Sequence, residues 1–217
     1  MIILTTCQRY VCLAFLLFSA PVQGQSNAPH YSIKIRTTPI GVGADYRIEV
    51  TRNGNVVQLR YGRLDSVRLT RMNADPAVVA LQALKETNKL HTLSQAQIRG
   101  LAQQVMAAHE RNAVFKWDSL QMTSTSHRSL VQLFDSVSTS SAEQLERKEE
   151  NRNRIVLDGT FFSIIVQSQQ AVTKVLYVHS PDRTSHPQLS RLIRESLDLY
   201  RKERPNALLD KGYTLGY

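Results

Sequence analysis

The chain has 217 residues, 42% of them hydrophobic, and its 27 Lys and Arg outnumber 18 Asp and Glu. Its 2 cysteines are too few for a disulfide framework, and no run approaches the ~20 apolar residues of a membrane-spanning helix. The positive balance favours acidic partners, such as an acidic protein, an anionic glycan or lipid head groups.

The first 24 residues have the order of a signal peptide. Arg9 is their only charged residue, and the apolar run from Val11 to Ala20 is followed by Pro21 and small or polar residues. We expect cleavage after Gly24, and export to a bacterial periplasm or secretion. The alternative is an N-terminal core helix, but no amphipathic continuation follows the run.

Cleavage would remove both cysteines and one positive charge from the protein. Cys7 and Cys12 lie in the leader, so residues 25–217 contain no thiol. Loss of Arg9 leaves 26 Lys and Arg against 18 Asp and Glu, a net charge of +8. We expect a single α+β domain of 25–217 with no transmembrane segment, and the export signal argues against a nucleic-acid partner.

Residues 31–70 alternate in the manner of strands. Asn53 and Gly54 are the residues preferred in a two-residue type I′ hairpin loop. That loop pairs Val50 with Val57, Ile48 with Leu59, Tyr46 with Tyr61, and Arg47 with Arg60.

A basic patch is predicted on the polar face of these strands. Lys34 and Arg36 alternate with isoleucines, and Arg47 and Arg60 face each other in the predicted register. Opposed like charges destabilise a ladder, and a ligand or an acidic neighbour would remove the cost. These four residues are the candidate binding site; the alternative is that they only spread into water.

Residues 76–151 are predicted to be mainly helical. Asp75 and Pro76 form an N-cap and first helical residue, and Ser94 with Gln97 forms a capping box. A Ser- and Thr-rich loop around a short helix at 128–137, and then a charged helix, are expected to follow.

Residues 153–179 are predicted to form a three-stranded meander with a turn at Asp158 and Gly159. Its faces are both apolar, which favours a central position covered on both sides. Ser185 and Gln188 suggest a capping box for a C-terminal helix over 186–204, with an apolar stripe that includes Leu192 and Tyr200.

A possible duplication links the two strand regions. Residues 46–61 and 162–177 align without a gap at an offset of 116, with identities at Ile48 and Ile164, Val50 and Val166, Val56 and Val172, and Tyr61 and Tyr177. Two hairpin-plus-helix units would explain this, but so would chance similarity between amphipathic hairpins.

Chemical motifs are weak. His179, Asp182 and His186 are the best catalytic candidates, because two imidazoles and a carboxylate on one loop are suited to acid–base or zinc chemistry. Each also fits a structural role, and we assign no metal site and no cofactor. The sequence favours a non-enzymatic exported protein that binds a protein or an anionic envelope component through its basic surface. The alternatives are a small hydrolase or metal-dependent enzyme using the 179–186 loop, and a structural envelope component.

Overall fold

The computed structural model describes residues 29–40, 45–156, 159–168, 171–214 and 217, in which six strands form one antiparallel sheet. The strands are β1 (His30–Ile40), β2 (Tyr46–Asn53), β3 (Val56–Val67), β4 (Ala113–Thr123), β5 (Gly159–Ser168) and β6 (Ala171–His179). Their order across the sheet is β4-β3-β2-β1-β5-β6. The predicted signal peptide lies outside the described residues.

Six α-helices accompany the sheet in these residues. They are α1 (Leu69–Asn73), α2 (Pro76–Glu86), α3 (Gln95–Asn112), α4 (Arg128–Thr139), α5 (Ala142–Glu146) and α6 (Pro187–Glu203), with a 3-10 turn at Leu90–Thr92. The predicted α+β class, an antiparallel sheet with amphipathic helices packed on it, is confirmed.

The main core lies between one face of the sheet, here called the inner face, and helices α4 and α6. Strand residues alternate, so that Ile48 and Val50 of β2 are fully buried on the inner face. The predicted stripe of α6 is buried against it, with Tyr200 stacked on Tyr61 at a centroid distance of 4.0 Å. The Tyr61 hydroxyl donates to the carbonyl of Ser196 at 2.8 Å, which fixes the helix on the sheet.

A polar cluster also joins the inner face to α4. The Tyr31 hydroxyl donates to Asp135 Oδ1 at 2.8 Å, and the guanidinium of Arg52 forms an ion pair with the same oxygen. The Arg52 side chain is only 8% exposed, so the carboxylate of Asp135 compensates a largely buried cation.

The β2–β3 hairpin forms, but the predicted register is wrong by two residues. Asn53 pairs with Val56, which makes Gly54 and Asn55 the loop. Gly54 has a φ of 61°, as the first loop position of a type II′ turn requires. Arg60 therefore lies opposite Glu49, and the predicted pairing of Arg47 with Arg60 does not occur.

The middle of the chain is less helical than predicted, because it contains β4. This strand pairs with β3, and residues 69–112, here called the arm, are inserted between them. The N-cap at Asp75 and the capping box of Ser94 and Gln97 are confirmed. The charged helix expected near 143–152 is reduced to the five residues of α5.

The predicted meander is a two-stranded hairpin in the described residues. Residues 153–156 are not strand, and Asp158 lies outside the described part of the chain. Gln188 donates to Ser136 Oγ, and Ser185 Oγ accepts from the N–H of Asp182. The predicted capping box is thus wrong, since His186 is the N-cap of α6 and makes no side-chain cap.

The two hairpins are not equivalent units. They extend from β1 in opposite directions, yet Ile48 and Ile164 are both buried on the inner face. Because the hairpins extend in opposite directions, superimposing one on the other requires a half-turn about the strand axis. That half-turn would bring the buried face of one hairpin onto the exposed face of the other. The aligned tyrosines also differ, since Tyr61 is fully buried and Tyr177 is 71% exposed. The topology favours chance similarity over duplication.

Candidate functional site

The outer face of the sheet, opposite α4 and α6, holds all four residues of the predicted basic patch. From β4 to β6, one row on this face reads Trp117, Gly62, Arg47, Arg36, Ser163 and Tyr177. The adjacent row reads Ser119, Arg60, Glu49, Lys34, Ile165 and Val175. The patch residues thus lie within two neighbouring rows on three adjacent strands.

A like-charged pair does occur on this face, but it joins Arg36 of β1 and Arg47 of β2. Glu110, in the last turn of α3, approaches both guanidiniums, at 3.6 Å from Arg36 and 2.7 Å from Arg47. An acidic neighbour thus offsets the repulsion that two opposed arginines produce.

Arg47 is largely enclosed by these contacts. Its guanidinium carbon lies 3.9 Å from the ring centroid of Phe115, and its side chain is only 14% exposed. The side chain of Arg36 is 39% exposed and that of Arg60 is 46% exposed. Arg36 and Arg60 are therefore the arginines of the patch that an external partner can reach, while Arg47 anchors α3.

Trp117 extends the patch onto β4. Its indole lies against Gly62, where an added Cβ would come within 3.0 Å of the ring. The guanidinium of Arg60 lies 4.5 Å from the Trp117 ring centroid and forms an ion pair with Glu49 at 3.0 Å. Gly62 thus lets an aromatic ring lie flat on the sheet beside a cation. Sequence reasoning missed Trp117 because β4 was not expected to be a strand.

The β5–β6 half of the outer face is apolar and exposed. Phe161 is 45%, Val175 is 44% and Tyr177 is 71% exposed, and Ile165 is half-buried beside them. The expectation that this hairpin is covered on both faces is therefore wrong, because these side chains of its outer face are exposed. In the described residues β6 is the last strand of the sheet on this side. An exposed cluster of large apolar side chains is typical of interaction sites.

Asp182, in the loop at 179–186, organises that loop. Asp182 Oδ1 accepts hydrogen bonds from the N–H groups of Ser185 at 2.7 Å and Thr184 at 2.8 Å. Its other oxygen lies 3.1 Å from the guanidinium of Arg154. The Ser185 N–H and these further contacts lower the pKa of Asp182 to about 2. The carboxylate is thus a turn-forming group.

The two histidines of this loop make different contacts but line the same cleft. The His179 ring stacks on Phe161 with a centroid distance of 4.2 Å. His186 is buried, with Nδ1 3.0 Å from Ser185 Oγ, and burial lowers its pKa. Both line a cleft of about 510 Å³ together with Glu146 and Arg154. Among the described residues, no three His, Cys, Asp or Glu side chains are arranged to hold a metal ion.

Comparison of the chain with protein-family models, curated proteins and solved structures finds no match. Within the described ranges, no helix combines the length and apolar character needed to cross a bilayer.

Proposed function

We propose that this protein is exported and binds an acidic partner protein, without catalysis, through the outer face of its sheet. The observation that carries the proposal is the pairing, on one face of the sheet, of accessible arginines with an exposed apolar cluster. A partner with acidic side chains around an apolar centre would complement both halves.

Charge supports the cationic half of this surface. The full chain has a formal net charge of +9, and it would keep +8 after the expected cleavage. Arg36 and Arg60 are each ion-paired to one carboxylate but keep 39% and 46% of their side chains exposed. Such cations steer an acidic partner toward the face and fix its orientation.

The apolar half favours a protein partner over a glycan or lipid head groups. Aromatic residues and arginine are enriched at the centres of protein interfaces, where truncation of a few side chains removes most of the affinity. Trp117, Tyr177 and Arg60 are of these types and lie in two adjacent rows. A purely ionic ligand would leave Val175 and Tyr177 exposed to water.

Site-specific photo-crosslinking in the native host tests this proposal. A photo-reactive phenylalanine analogue replaces Tyr177 on the outer face or, as a control, Lys202, which is exposed on α6. We expect an adduct with one acidic protein from position 177 and none from position 202. Arg60→Thr should reduce that adduct, whereas Arg99→Thr on α3 removes the same charge and should leave it unchanged.

Two results would contradict the proposal. Equal adduct loss in both charge variants would mean that net charge alone is responsible. Absence of a protein adduct, combined with binding to heparin or to vesicles of anionic lipid that Arg60→Thr weakens, would assign the face to a glycan or a membrane. Export is tested by the N-terminus of the protein from its host: we expect Gln25, and Met1 in a cytoplasmic protein would refute it.

A further inference from the structure

Strand β4 leaves one edge of the sheet open. Within the described residues it is the last strand on its side and pairs only with β3. The N–H of Ser124, just after the strand, bonds to the carbonyl of Asn55 at 2.8 Å, so the even-numbered residues of β4 form the ladder with β3. The N–H and C=O groups of Phe115 and Trp117 point the other way and have no hydrogen-bond partner in the part of the chain that the structure describes. A row of such groups is a template for another strand.

The opposite edge of the sheet, at β6, is covered by side chains. Glu146 Oε1 accepts from the N–H of Tyr177 at 3.3 Å, and Arg154 donates to the carbonyl of His179 at 2.6 Å. Contacts of this kind protect a sheet edge from pairing with another chain. No such cover lies over 115–117 among the described residues, so β4 is the edge at which a further strand can add.

The aromatic side chains of β4 leave this edge clear. The indole of Trp117 lies against Gly62 of β3, and the ring of Phe115 lies 3.9 Å from the guanidinium carbon of Arg47 on β2. Both rings thus contact strands of their own sheet and do not extend beyond β4. The side chain of Lys116, between them, is 64% exposed. A second strand can approach to the usual spacing of ~4.8 Å.

A second copy of β4 fits this edge in one antiparallel register. When Trp117 lies opposite Trp117 of the second copy, Lys116 lies opposite Asp118 of the second copy. The two-fold axis repeats this ion pair, so two complementary pairs flank the centre. Shifting one copy by two residues in either direction opposes Lys116 to Lys116 or Asp118 to Asp118, which destabilises the ladder. Charge complementarity therefore selects the register centred on Trp117.

The present contacts of these charged residues can be exchanged. Lys116 forms an exposed ion pair with Asp65 at 2.7 Å, and a pair of this kind stabilises a fold only weakly. Asp118 Oδ1 accepts from the N–H of Ser119 at 2.7 Å. Turning that oxygen toward Lys116 of the second copy releases the Ser119 N–H, which then bonds to the Phe115 carbonyl across the axis.

Arg204 also touches this edge without closing it. Its guanidinium donates to the carbonyl of Ser119 at 2.9 Å and lies 3.4 Å from Asp118 Oδ2. A carbonyl oxygen has two lone pairs, so Ser119 can accept from a second strand as well. We propose that the protein forms a homodimer in which the β4 strands of two copies pair antiparallel about Trp117. This pairing joins the two six-stranded sheets into one continuous sheet.

Paired charge reversals test the homodimer by sedimentation equilibrium. We expect the unmodified protein to shift from monomer to dimer between about 1 and 100 µM. Lys116→Asp opposes two carboxylates at each charged pair and Asp118→Lys opposes two ammoniums, so each variant alone should associate at least about tenfold more weakly. An equimolar mixture should recover the dimer, because each variant then faces its complement. Lys85→Asp and Glu86→Lys make the same charge changes at exposed positions on α2 and should each dimerise as the unmodified protein does.

Recovery in the mixture also separates pairing from folding, because a variant that failed to fold would gain no partner. Three results would overturn the proposal: an unmodified protein that stays monomeric, a dimer that either single variant keeps, or a mixture of folded variants that stays monomeric. Circular dichroism establishes that each variant is folded. The pairing does not rest on the outer-face proposal, since Arg60→Thr changes a residue of β3 and should leave the dimer intact.

Discussion

Replacing Asp135 by alanine should destabilise the protein strongly, although the residue lies on a helix at the edge of the core. Among the described residues, Asp135 supplies the only carboxylate in contact with Arg52, whose side chain is 8% exposed. The substitution removes that carboxylate. It also removes the acceptor of the Tyr31 hydroxyl.

The structure sets the size of the effect. Removing one partner of a buried ion pair costs ~3–5 kcal/mol, because the other charge stays buried without compensation. The Asp135 side chain is 37% exposed, so water can reach the vacated position. We therefore expect the lower end, about 3 kcal/mol, and a decrease in Tm of about 6–12 °C for a domain of this size.

Urea unfolding followed by circular dichroism measures this in a double-mutant cycle of Asp135→Ala and Arg52→Met. The double variant should be more stable than the sum of the single effects predicts, by about 1.5–3 kcal/mol. Asp65→Ala is a matched control on an exposed pair with Lys116 and should cost at most ~0.5 kcal/mol. A cost below ~1 kcal/mol for Asp135→Ala, or an additive cycle, would refute the reasoning.

Three further predictions concern Lys174, Asp45 and Asp182, which are partly buried or hydrogen-bonded to the backbone. Lys174→Met should lower stability by about 1–3 kcal/mol in thermal unfolding, because its ammonium donates to the carbonyl of Ser138, in the last turn of α4, at 2.5 Å and to that of Ser140, just after the helix, at 2.8 Å. Burial raises the pKa of Asp45 to about 6, so the folded state favours its protonated form. The free energy of unfolding should therefore fall as pH rises from about 4 to 6. In urea unfolding, Asp45→Asn should reduce that pH dependence. Hydrogen bonds from the loop lower the pKa of Asp182 to about 2; its stabilisation should be complete above about pH 4 and be lost as pH falls through 2, and an acid titration of Asp182→Asn should lack that loss.

The sequence correctly predicted those elements that depend only on residues close together in the chain. The apolar stripe of α6 and the capping box at Ser94 depend on residues within a few turns, and both are confirmed. β4 was missed because its neighbours across the sheet, in β3, are separated from it in sequence by the arm. Its pattern from Phe115 to Ser119 shows an alternation, but nothing local distinguishes that from a loop.

The site was predicted in part, for a geometric reason. A shift of two residues in a hairpin keeps every side chain on its face and changes only its partner. The common face of Arg47 and Arg60 was therefore correct, while their predicted pairing was wrong. Because Glu49 lies opposite Arg60, Arg60→Thr removes an exposed ion pair and not a repulsion. Glu110, 63 residues after Arg47, could not be placed beside it without the fold.

The position of β1 at the centre of the sheet has a consequence for folding kinetics. β1 pairs with β2 a few residues later, but its other edge pairs with β5, where Ile35 meets Ile164. Contacts so distant in sequence raise the contact order, which slows folding, since a long loop must close first. A chain cut after β4 would leave β1 as an open edge that invites aggregation. Docking of the β5–β6 hairpin should therefore be the late, rate-limiting event, and substitutions within it should slow refolding more than those in the β2–β3 turn.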